Sequence, residues 1–188
     1  MEGYLKPEGW RVPPEPEVSN DVLELPHVCM AGQALRGGRE TELVAGGGCE
    51  IRPNTPMTVG GVVKPGIMMH PPYLRGVGYA FLRYRLALPK DADVVFTVSV
   101  GRPDFKNLQG DGTLYQIAVQ PVGADISERK ILASAQVTEK KWNELTADLA
   151  PWRGRTVWLY LIADVGPANS SDCDASAWGG LELKMKKK

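Results

Sequence analysis

Apolar and polar residues alternate along most of the chain. From Ala80 onward, Leu82, Tyr84, Leu86 and Leu88 fall on one side of an extended segment, with Arg83 and Arg85 on the other. A period of two predicts a half-buried strand. Val94, Phe96, Val98 and Val100 predict the next, and Tyr115, Ile117 and Val119 a third. Ile131, Ala133, Ala135 and Val137 form the inward set of a fourth, followed closely by Leu145, Ala147 and Leu149. Val157, Leu159, Leu161, Ala163 and Val165 give the clearest strand of all. Weaker alternations lie at 22–25, 42–45, 49–52 and 181–185. Turn signals at 101–103, 110–112 and 151–154 separate them.

No stretch keeps a 3.6-residue period for three turns. Nine or ten strands without intervening helices predict an all-β fold, a two-sheet antiparallel β-sandwich of jelly-roll type. The core expected from the alternation comprises Leu82, Tyr84, Leu86, Phe96, Val98, Ile117, Leu145, Leu159 and Leu161. Residues 1–20 carry Pro7, Pro13, Pro14 and Pro16 among charged residues, the composition of an extended strap or linker. The sandwich is expected over 21–185, with a basic tail at 186–188.

Composition narrows the possibilities. The 21 Gly and 15 Pro suit many turns rather than a helical bundle. At 188 residues roughly 70% of the unfolded surface is buried on folding, so no staple is required. Lys+Arg 22 against Asp+Glu 22 leaves no net charge, and so no overall cationic surplus to capture nucleic acid. No apolar run approaches a membrane span. A basic segment followed by an apolar core is missing at the N-terminus, as it would also be in a fragment of a longer exported protein. Cys29, Cys49 and Cys173 are far apart and odd in number, which favours free thiols over a zinc site, with a Cys29–Cys49 bridge as the alternative.

Catalytic signatures are absent. The chain has no nucleophile elbow, phosphate-binding loop or zinc-protease helix, and only His27 and His70 to serve as imidazole bases. Nothing selects a carboxylate pair for glycoside hydrolysis, although such a pair is set by space and not by sequence spacing, so a glycoside hydrolase stands as the minor alternative to a non-catalytic module. The chemistry-rich stretch is 164–180, where Asp164, Asp172 and Asp174 accompany Asn169 and three serines. Such groups accept hydrogen bonds from sugar hydroxyls, ligate one structural calcium ion, or cap turns. Four residues beyond Asp174, Trp178 offers a ring face beside a carboxylate: a sugar subsite, or a plug for the end of the core. His70 and Tyr73 flank Pro71 and Pro72, and with Arg75 they would reach the same site if the two loops meet. Trp158 and Tyr160 lie opposite the Val157 face as an aromatic platform or a second packing surface, and Trp142 flanks the preceding strand.

These segments together resemble a family of bacterial jelly-roll modules, the novel carbohydrate-binding-module class, and more loosely the galactose-binding-like domains. The likeness rests on Met69-His70-Pro71-Pro72-Tyr73, Gly76-Val77-Gly78-Tyr79-Ala80, Asp111-Gly112, Lys141-Trp142, Asp148-Leu149, Trp152-Arg153-Gly154, Asp164 with Gly166-Pro167, and Asp174 with Trp178-Gly179. It spans residues 65–183. The chain departs from the pattern at Tyr73, where a Trp is usual, and at Trp158 and Tyr160, where polar residues are usual. The resemblance implies a non-catalytic, monomeric module that binds polysaccharide or oligosaccharide. It would accompany a covalently linked enzyme domain in an exported, extracellular or cell-surface protein. No cofactor is implied beyond the candidate calcium ion. The alternative function is a structural or protein-interaction sandwich of a larger exported protein.

Overall fold

A computed structural model of the chain describes residues 22–24, 30–43, 48–106 and 110–187. The proline-rich 1–20 segment, His27 and Cys29 lie outside the described residues. The first strands in chain order are β1 (Val22–Glu24), β2 (Met30–Leu35), β3 (Thr41–Glu42), β4 (Glu50–Arg52) and β5 (Met57–Val59). Next come β6 (Val62–Lys64), β7 (Gly66–His70), β8 (Gly78–Ala87), β9 (Ala92–Gly101) and β10 (Thr113–Pro121). The last are β11 (Lys130–Val137), β12 (Asn143–Asp148), β13 (Thr156–Asp164) and β14 (Ser176–Lys187). Helix among the described residues is confined to single 3-10 turns at Ile126–Glu128 and Ala150–Trp152. None of it is long and apolar enough to cross a membrane.

The protein is an antiparallel β-sandwich. One sheet runs β12-β9-β14-β7-β4, and the other β11-β10-β13-β8-β2-β3. One edge of the long β14 is shared: β7 pairs with Ser176–Gly179 and β1 with Glu182–Lys184. The inward sets of both sheets meet in one core, and all nine core residues expected from the alternation are 8% exposed or less. Burial of that apolar surface is the main stabilising contribution to the fold.

Three local expectations are corrected. Ile131 points outward and is 47% exposed. The register of β11 skips Leu132 opposite the Ile117/Ala118 step, and a bulge of one residue reverses which side chains face the core. The 164–180 stretch is not all loop, because Asp164 closes β13 and Ser176 already pairs with Met69. The expected basic tail instead continues β14 as far as Lys187, with Lys186 opposite Asp93.

Two smaller apolar clusters lie outside the main core. The β5–β6 hairpin carries Met57 and Val59 onto Met68 and Ala177, with Trp142 at their edge. On the other sheet Phe81, Ala118, Tyr160 and Ile162 pack together beneath Tyr79 and Trp158.

Candidate functional site

The β7–β14 pairing does bring the two chemistry-rich loops to one end of the sandwich. Ser176 Oγ donates to the Met69 carbonyl at 2.9 Å, next to His70 and its two prolines. His70 Nδ1 lies 2.7 Å from the Pro71 carbonyl, and its ring meets Tyr73 edge-on at 5.1 Å. Tyr73 and Arg75 are exposed there, Arg75 with a left-handed φ of 65°. The neighbouring Cys49 is a free thiol that donates to the His70 carbonyl, and burial followed by Glu50 pushes it up to about 12. Cys173 is also free.

The residues expected to complete that site do not reach the surface. Trp178 is fully buried, its indole N–H donating to Ser176 Oγ at 3.2 Å and its ring 5.0 Å from that of Tyr115. It plugs the core and offers no face to a sugar. Asp174 is equally buried, and neither carboxylate oxygen has a hydrogen-bond partner, so it neither meets solvent nor caps a turn. Burial, then the nearby Asp111, push its carboxyl up to about 8, partly offset by Arg102 and reinforced by Asp172 and Asp164.

The three candidate calcium ligands do not assemble. Both oxygens of Asp164 are taken by Arg36, at 2.6 and 2.8 Å, and Oδ1 also accepts the Gly166 N–H at 2.7 Å. Asp172 faces solvent while Asp174 is enclosed. No group of three or more His, Cys, Asp or Glu able to hold a metal occurs among the described residues.

The aromatic platform is also covered. Tyr160 is 1% exposed, with its hydroxyl accepting from Arg83 Nη1 at 3.0 Å and donating to Gln120 Oε1 at 3.2 Å. The Arg83 guanidinium lies 4.4 Å from the Trp158 ring centre, and that of Arg129 lies 4.9 Å from Tyr160. Arg129 is held in turn by Glu40 and by the Tyr79 hydroxyl. Cations over ring faces stabilise this layer and occupy the faces a sugar would need. Trp142 donates its N–H to the Val62 carbonyl at 3.0 Å, fastening the β5–β6 hairpin to the sheet.

The hairpin builds a site that the alternation did not single out. A cleft of about 280 Å³ opens between β5 and the segment after β9. Met57 and Met68 line it, along with Pro56, Thr55 and Thr58, and Arg52, Asp104 and Phe105 complete its walls. Phe105 is 46% exposed. Asp104 accepts the N–H of Gly60 at 2.9 Å and that of Gly61 at 2.8 Å, and its own N–H donates to the Thr58 carbonyl at 2.9 Å. The two N–H groups hold its carboxyl below the usual range. They also leave each oxygen a lone pair for another donor. Gly60, at φ 58°, is needed at that turn, since a Cβ there would stand 2.5 Å from the Lys140 carbonyl. Arg52 reaches the cleft while its Nε donates to Glu50 at 2.6 Å. The only sequence signal was the turn at 101–103, directly before Asp104 and Phe105.

No family model matches the chain. A protein of Archaeoglobus fulgidus described as uncharacterized is 26% identical over 94 residues, which is 49% of this chain and only 24% of that protein's length. Among solved structures, the tandem CBM51 modules of the family 98 glycoside hydrolase from Streptococcus pneumoniae are 12% identical, with a TM-score of 0.51. They cover 89% of this chain and 48% of theirs. The CBM22-1 xylan-binding domain of Paenibacillus barcinonensis Xyn10C is 12% identical at a TM-score of 0.49, covering 76% of this chain and 84% of that one. A Stig cyclase from Fischerella sp. TAU is 17% identical at 0.48, covering 74% and 76%. At 12% identity the likeness to the CBM51 modules is one of fold.

Proposed function

We propose that the chain is a non-catalytic carbohydrate-binding module that holds a glycan in the cleft between β5 and Phe105. As part of a longer exported protein, it would tether a polysaccharide-active enzyme to its substrate. The carrying observation is the composition of the cleft: a solvent-facing aromatic ring beside a carboxylate whose orientation is fixed by two backbone N–H groups. A phenyl ring packs against the C–H face of a pyranose, and the spare lone pairs of Asp104 accept from its hydroxyls. Arg52, which also lines the cleft, would supply donors beyond those it gives to Glu50. Preorganisation matters because water competes for every hydroxyl, and a cleft of this size leaves single-site affinity modest. The β-sandwich shared with the tandem CBM51 modules supports the reading at the level of architecture.

A glycan array on the purified chain, followed by affinity electrophoresis in a gel containing the retained polysaccharide, tests this. Phe105→Ala is expected to abolish retention while leaving the melting temperature within a few degrees, because nearly half of the residue is exposed and it belongs to none of the apolar clusters. Trp178→Ala is the control for the buried alternative. If no glycan is retained, or Phe105→Ala leaves retention intact, the cleft is not a sugar site.

A further inference from the structure

The cleft continues into a row of side chains on the same face of its sheet, and the inference drawn from that row rests on the glycan-binding reading above. Ile51, Ile67 and Met69 belong to the main core, so the alternation of a strand turns Glu50, Arg52, Met68 and His70 to the opposite, outer face. The register of β4 on β7 sets them in two cross-strand pairs, Arg52 with Met68 and Glu50 with His70. Arg52 and Met68 line the cleft. The Glu50–His70 pair lies one two-residue step, about 6.5 Å, further along the strands. Past the end of β7 stands Tyr73, 53% exposed, with its ring 5.1 Å from that of His70 and at 77° to it.

Each member of the row offers a defined contact. Nε and Nη2 of Arg52 both go to Glu50 Oε1, which leaves Arg52 Nη1 to donate and Glu50 Oε2 to accept. Their side chains are 63% and 43% exposed, so a ligand reaches both. His70 Nδ1 lies 2.7 Å from the Pro71 carbonyl. A carbonyl only accepts, so Nδ1 carries the proton, and in the neutral ring Nε2 keeps a lone pair for a hydroxyl. Tyr73 is fixed by its N–H on the Gly48 carbonyl at 3.0 Å and by the buried Pro71 and Pro72 before it. It belongs to none of the apolar clusters, and a ring already held in place loses little freedom on meeting a ligand.

We infer that the cleft is one part of an open track along β4 and β7 that takes a linear run of polysaccharide, about three consecutive pyranose units long. One unit rests on Phe105, one lies over the Arg52–Glu50 pair, and one meets His70 and Tyr73. The donors and acceptors between the two aromatic residues match the hydroxyls along a sugar chain, and the rings receive its C–H faces. Each further unit adds contacts without a second loss of translational freedom, so the track binds a chain more tightly than its monosaccharide.

Affinity electrophoresis with competitors of graded length tests this. The gels carry xylan, mixed-linkage β-glucan or glucomannan, together with any other polysaccharide retained on the array, and fragments of the same polysaccharide compete, from the monosaccharide to the hexasaccharide. Competition is expected to be negligible for the monosaccharide and to strengthen up to about three units. Tyr73→Ala is expected to weaken retention roughly two- to tenfold, the scale of one ring contact, and Tyr73→Phe to preserve it. A monosaccharide that competes as well as the hexasaccharide, or Tyr73→Ala retained as strongly as the unaltered protein, overturns the track. If Phe105→Ala still loses retention in that case, glycan binding in the cleft stands. If no gel and no glycan on the array retains the chain, both readings fall. Should Tyr73→Ala not fold, the length series on the unaltered protein still separates these outcomes.

Discussion

At the scale of single residues, Asp174 and Trp178 separate what spacing reveals from what it hides. Their four-residue separation placed a ring near a carboxylate, and both are indeed at the loop end. Spacing carries no information on depth, and depth decides their roles. Trp178 packs on Tyr115 with no exposed surface, so Trp178→Ala is expected to cost about 3–5 kcal/mol, read as a large fall in the denaturation midpoint. Asp174 gives a pH signature. Its carboxyl is raised from the ordinary 3.8 to about 8, so between those values the folded protein holds a proton that the unfolded chain has released. Folded stability from this group is therefore full below about pH 4 and is lost as pH rises through about 8. Asp174→Asn, which cannot ionise, is expected to lose less stability than the unaltered protein between pH 5 and pH 8.5. Denaturant titrations at the two pH values would contradict this if the two proteins changed in parallel.

At the scale of elements, the long strands were legible because each has one face in the core and one toward the outside. β12 follows the alternation residue by residue and β8 and β9 nearly do, whereas in β13 the inward set alternates but the opposite face is buried as well. β11 was legible only in part, since the skipped Leu132 reverses its facing and a period of two has no way to signal an inserted residue. The short β5, β6 and β7 were not legible at all. They run through Val62 and Val63, both exposed, and through Ile67, Met68 and Met69, all buried, so neighbouring apolar residues share one environment and no period of two appears. The hairpin is instead fixed by a contact distant in sequence, Asp104 on Gly60 and Gly61, and the cleft depends on it. Asp104→Ala leaves those two N–H groups to water. Hydrogen exchange at pH 7 is expected to quicken across residues 57–64 and to stay unchanged in β10 and β13. An equal rise in both sheets would mean that the carboxylate supports the whole fold and not the hairpin.

At the scale of the whole molecule, the architecture was readable because the two inward faces account for most of the apolar residues, and two half-buried antiparallel sheets have one economical way to cover them. The binding surface was not. Aromatic residues were the cue, and Trp158, Tyr160 and Trp178 proved to be packing residues while Phe105, just past a turn signal, faces solvent. The apolar outward face of β13 is covered by Arg83 and Arg129, long side chains whose stems and guanidinium planes pack on the rings. This gives the sandwich an outer layer on one side, and β13 is the strand both layers share. Leu159→Ala opens a cavity in the main core and is expected to cost about 2–5 kcal/mol. Tyr160→Phe on the opposite face keeps the ring but removes the hydroxyl between Arg83 and Gln120. Leaving those buried groups unpaired is expected to cost about 1–3 kcal/mol. Because one strand carries both faces, each variant should shift a single unfolding transition without changing its denaturant slope. A second, earlier transition in Tyr160→Phe alone would show that the outer layer melts independently of the sandwich.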